Sequence, residues 1–116
     1  MRMLDINKLR EYGADVDSGL GRCMNNEAFY IKLVQMSVND AEPFNKLNAA
    51  ISENDLDKAF EAAHSLKGVF ANLALTPILT PVVETTELLR KRTDTDYSDL
   101  VAKINSEREK LLELSK

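Results

Sequence analysis

Residues 55–75 read DLDKAFEAAHSLKGVFANLAL, and this stretch decides the fold. Its apolar residues Leu56, Ala59, Phe60, Ala63, Leu66, Phe70 and Leu73 recur at i, i+3, i+4, i+7, i+10, i+14 and i+17. That spacing is the stripe of an amphipathic helix with one buried face. Ala62 and Val69 widen the stripe on one side. His64, the only histidine in the chain, falls roughly opposite the centre of the stripe, so the helix is expected to hold its imidazole out in water. Lys67 and Gly68 follow three and four residues later and flank His64 one turn on. Ala71 continues that row. A glycine inside a helix costs about 0.5–1 kcal/mol relative to alanine. The cost makes sense if something must approach the histidine closely.

Outward from this helix, the chain reads as all-α. It has four glycines and three prolines, and β-branched alternation is absent. Upstream, Asn54 or Asp55 is placed to cap the central helix, and Pro43 suits the first turn of the helix before it, which runs to Glu53 with Phe44, Leu47 and Ile51 on one face. Asn39-Asp40 breaks the pattern. Before the break, Glu27 to Val38 carries Phe29, Tyr30, Leu33, Val34 and Met36. Further back stand two short helices: Met3 to Tyr12, closed by Gly13, and a second opened by Asp15 or Asp17 with Val16, Leu20, Cys23 and Met24 on one face. Gly19 and Gly21 either weaken that second helix or let it pack closely. Downstream, Thr76-Pro77 reads as an N-cap and a proline at the first helical position. Pro81 removes one backbone hydrogen bond, so a local bend or a later start at Thr80 is expected. Tyr97, Leu100, Val101, Ile104, Leu111 and Leu112 form a last helix. Short connections favour antiparallel neighbours. The expected architecture is a single domain over residues 1–116: an antiparallel up-down four-helix bundle at about 26–114, with short capping helices at about 3–24.

Composition narrows the function. At 116 residues with 44% hydrophobic content the chain can bury a core, so disorder is not expected. A net charge of −4 argues against nucleic-acid binding, which needs a basic stripe. The single cysteine, Cys23, excludes an internal disulfide and is expected to be inert core. No apolar run of about 18 residues is present, and the N-terminus lacks the apolar segment of a signal peptide. Neither a membrane span nor secretion is therefore expected, and the cytoplasm is the expected compartment. One histidine and one distant cysteine form no metal-ligand cluster.

His64-Ser65-Leu66-Lys67-Gly68, preceded by Ala62-Ala63, resembles the His-x-x-Lys-Gly motif of the histidine-containing phosphotransfer (HPt) domain family. The upstream text GADVDSGLGRCMNNEAFYIKLVQMSV is similar to the N-terminal part of free-standing members, and the resemblance extends roughly from Leu4 to Leu112. It departs at Ala74, ten positions after the histidine, where the family usually has glycine. A left-handed backbone there costs an alanine roughly 1–2 kcal/mol, so the helix is expected to run further or end differently.

The resemblance implies reversible phosphorylation of His64 on its outer nitrogen, Nε2, in a multistep phosphorelay. The partners it implies are the aspartate of a response-regulator receiver domain and a hybrid sensor histidine kinase. The chain would be a phosphocarrier without an ATP site, needing no cofactor of its own because Mg²⁺ comes with the receiver. Neutral imidazole, the main form of an ordinary histidine at neutral pH, attacks phosphorus without a base to activate it. The transferred group carries about two negative charges, and Lys67 is the expected stabilising cation. Gly68 and Ala71 leave backbone bare for the partner, with Phe60 at the edge of the docking surface. One site on one helix needs only a monomer. Two other readings compete. A kinase dimerisation domain typically has an acidic residue after the histidine and a proline further on, where this chain has Ser65 and Val69. A helical adaptor that binds a receiver or kinase without phosphotransfer would not need the intact trio His64, Lys67 and Gly68.

Overall fold

Every regular element in the computed structural model, which describes residues 4–115, is a helix. In order these are α1 (Ile6–Tyr12), α2 (Val16–Arg22), α3 (Glu27–Asn39), α4 (Glu42–Ser52), α5 (Leu56–Leu73), α6 (Thr76–Arg90) and α7 (Ser98–Leu114). The expected start of the first helix at Met3 lies outside the described residues. Four helices open on an acid or amide side chain, as the physics of unpaired N–H groups demands. Asp5 accepts from the Lys8 amide, Asp15 from Ser18, Asn26 from Phe29 and Asp55 from Lys58.

Residues 26–114 hold five helices where the expected bundle counted four, since the break that the sequence marks at Asn39-Asp40 separates α3 from α4. A continuous helix would need an N–H from Pro43 to the Asn39 carbonyl, and proline has none. Asp40 turns extended instead, and its carboxylate accepts the Glu42 amide at 3.2 Å. The central helix forms an antiparallel hairpin with the one after it. Near its start Asp57 pairs with Arg92, and near its middle Lys67 pairs with Glu87, so α5 and α6 run in opposite directions. On its other side α5 packs along α4, and α7 packs against α3, α4 and α6.

The shared core is built from Tyr30, Val34, Phe44, Leu47, Leu66, Phe70, Ile78, Val82, Leu89, Ile104 and Leu111, all buried. Cys23 is buried with them. Gly19 is the close-packing glycine: a Cβ there would stand 2.5 Å from the Tyr30 ring and 2.8 Å from the Leu73 carbonyl. Tyr30 donates its hydroxyl to that same carbonyl at 2.8 Å, which pins the end of α5 to α3. Gly21 faces open space.

Three local expectations change. Met24 leaves the apolar face of α2: the helix stops at Arg22, Met24 and Asn25 take left-handed backbone, and the Met24 side chain is 84% exposed. Thr76 is not the N-cap of α6 but its first residue, with Leu75 before it, and no later start occurs at Thr80. Pro81 stays inside a continuous helix because its neighbours Ile78, Val82, Thr85, Thr86 and Leu89 are all buried in the core, and one missing bond does not outweigh that burial. The buried Thr85 and Thr86 hydroxyls are satisfied by carbonyls four residues back, at 2.7 Å each. Finally, α5 ends at Leu73 although Ala74 replaces glycine: Ala74 itself takes φ 55°, ψ 40°. Its amide and that of Leu75 bond back to Ala71 and Phe70, closing the helix as a glycine would.

Candidate functional site

The side of α5 away from the core carries the histidine. Ala59, Ala62, Ala63, Leu66, Phe70 and Leu73 are buried, whereas His64, Ser65 and Gly68 are exposed. Ala62 and Ala63, the two residues before the histidine, belong to the buried side. Among the described residues, the ring meets no hydrogen-bond partner. Its contact is with Phe60, one turn back, whose ring stacks at 5.5 Å between centroids and 21° between planes. Phe60 is half-buried, and the Arg90 guanidinium lies over the same ring at 5.2 Å. Phe60 thus belongs to the histidine's surroundings as much as to the edge of the core.

Lys67 is half-buried and does not point into empty solvent. Its Nζ lies 3.5 Å from Oε1 of Glu87 on α6, while Oε2 of that carboxylate lies 3.4 Å from Nε of Arg90. Gly68 answers the packing question plainly: a Cβ built there meets nothing within 4 Å, so no helix presses against it. Ala71 is half-buried, and its carbonyl, one of the last in α5, accepts from the Arg22 guanidinium.

Val69 departs from expectation. It is 38% exposed, outside the stripe it was expected to widen, because α5 turns that side toward a shallow groove shared with Leu33 and Ser37 of α3. Phe29 and Met36 of α3 are exposed as well, at 42% and 58%. On the same flank of His64, Glu61 and Ser65 border a cleft lined by Asp40, Glu42 and Glu53 with Lys46 and Lys58. The histidine therefore stands between Lys67 and Phe60 on one flank and Glu61, Ser65 and Val69 on the other.

The motif pointed to none of Glu87 and Arg90, which touch the site from α6. Nothing in their own spacing marks them. Only the antiparallel register of α5 and α6 brings them to Lys67 and Phe60. Among the described residues no group of three or more His, Cys, Asp or Glu is placed to hold a metal, and no helix is long and apolar enough to cross a membrane.

A family model for the Hpt domain matches residues 33–114, which takes in α4 to α7 and most of α3. The chain belongs to the Hpt domain family, the helical phosphocarriers of two-component phosphorelays. The match leaves α1 and α2 outside it. No curated protein and no solved structure matches this chain.

Proposed function

We propose that His64 accepts and donates the phosphoryl group of a multistep phosphorelay, exchanging it with the aspartate of a response-regulator receiver domain. The observation that carries this is an exposed imidazole with open space over Gly68 one turn on, in a chain of this family. In the accepting direction, the Nε2 lone pair attacks phosphorus in line. The N–P bond forms as the P–O bond to the aspartate breaks, the carboxylate leaves with the electron pair, and the ring proton stays on Nδ1. Such transfer is mainly positioning and electrostatics. Lys67 neutralises the incoming charge, Gly68 and Ala71 give the receiver's loops clearance, and Phe60 holds the ring plane and meets the partner. Mg²⁺ is the receiver's contribution, and this chain needs no cofactor. A hybrid sensor histidine kinase supplies the receiver upstream. The chain works as a single domain and a monomer in the cytoplasm.

The test is incubation with ³²P-labelled receivers from the same organism. Label is expected on this chain, acid-labile, and absent from His64→Gln with its fold intact. Absence of label with every receiver overturns the proposal and favours the adaptor reading.

A further inference from the structure

We infer that Glu87 is the counter-ion that restrains Lys67 and so shortens the life of the phosphorylated histidine. The inference rests on His64 being the phosphoacceptor. Glu87 comes from α6, outside the motif, and its two oxygens reach two cations: Lys67 Nζ at 3.5 Å and Arg90 Nε at 3.4 Å. Arg90 in turn lies over Phe60, and Phe60 stacks on His64. One carboxylate therefore engages Lys67 and Arg90 together. Lys67 stands one turn from His64 and its flexible four-carbon stem can swing between two anions. With the ring unmodified, Glu87 is the anion within reach. A phosphoryl group on Nε2 brings about two negative charges and competes for the same ammonium. The pair with Glu87 is half-exposed, with side-chain exposures of 32% for Lys67 and 44% for Glu87, so it is weak enough to exchange. Holding Lys67 back leaves the phosphoryl dianion less well neutralised. That favours its loss, whether to an aspartate or to water. In hydrolysis the N–P bond breaks, water oxygen bonds to phosphorus, and a water proton returns to Nε2. Glu87 touches neither phosphorus nor imidazole. It is a positioning residue that acts through Lys67.

The experiment loads purified protein with phosphoramidate, whose P–N bond breaks as His64 takes the phosphoryl group and ammonia leaves. The phosphohistidine half-life is then followed by ³¹P NMR in four proteins: wild type, Glu87→Gln, Lys67→Gln and the double variant. Glu87→Gln should lengthen the half-life about two- to five-fold, the range a half-exposed ion pair of about 0.5–1 kcal/mol allows. In the Lys67→Gln background the same change should have no effect. Thermal melting by circular dichroism confirms that each variant is folded. An unchanged or shorter half-life in folded Glu87→Gln overturns the inference while leaving the phosphoacceptor reading in place. So does an equal lengthening in both backgrounds, which would mean that Glu87 acts without Lys67. Failure of wild-type protein to form any phosphohistidine, with phosphoramidate or with phosphorylated receivers, overturns both.

Discussion

Ala63 and His64 are neighbours in sequence on different faces of α5: Ala63 has no exposed surface, and the imidazole beside it stands in water. The two sides of this helix are built under different rules. On the buried side, volume decides. Phe70 meets Phe44 with ring centroids 6.0 Å apart, and Ala59, Ala62 and Ala63 are buried along the same face. On the exposed side, charge and the absence of side chains decide. Gly68 touches nothing, and Lys67 is held by a carboxylate from another helix. The core face and the candidate site share the eighteen residues of α5, each on its own side of the helix.

The comparison is broken most strongly from the buried side. Phe70→Ala should lower unfolding free energy by about 3–5 kcal/mol, the usual cost of emptying a packed aromatic site, as read by urea denaturation. His64→Gln on the other face should shift it by no more than about 0.5 kcal/mol. Equal losses would mean that the imidazole is part of the core.

A buried charge sharpens the same point. Glu107 on α7 is only 2% exposed, and its carboxylate receives Lys110 at 2.9 Å and Lys103 at 3.0 Å. Burial pushes its pKa up, but the hydrogen bonds from Lys110 and Lys103 outweigh burial and hold it below the usual 4.5. A carboxyl with a lowered folded pKa adds stability that is complete above its unfolded pKa and lost as pH falls through the folded value. Glu107→Gln should therefore be less stable than wild type at pH 7, and the gap should narrow as pH falls below the ordinary carboxyl range. Denaturation curves at pH 7 and pH 3.5 check this; a gap that does not depend on pH would assign the loss to packing rather than charge.

Gly68→Gln works from the other face. Transfer from a phosphorylated receiver should fall about tenfold, while stability should hold or rise by about 0.5 kcal/mol because glutamine favours the helix. Transfer at the wild-type rate would remove the clearance argument. The smallest effect is expected where the two faces end together. Ala74→Gly should raise stability by about 0.5–1 kcal/mol by relieving the left-handed alanine, without changing transfer. A lower melting temperature would show that the buried Ala74 methyl outweighs the strain.

Much of this was legible in the residues. The period of α5 announced its buried face, and Asp15 and Asp55, each one of two candidates in the sequence, cap the helices they precede. The motif around His64 marked the candidate site. Met24 and Val69 misled for one reason: an apolar residue at the margin of a stripe is buried only if a neighbouring element covers it. At Met24 the helix had already ended, and at Val69 the covering helix α3 stops short of closing the groove. Ala74 shows the converse. A residue type that disfavours a backbone state does not forbid it when Leu75, fully buried, pulls the chain round the corner.

What the sequence by itself determined is the set of helices and the face of α5 that meets water, because periodicity and capping act over a few residues along one chain. Tertiary structure alone decided that Glu87 and Arg90 stand against Lys67 and Phe60. That meeting depends on the register of α5 against α6, which is fixed by how two whole faces pack and not by the residues that come to touch.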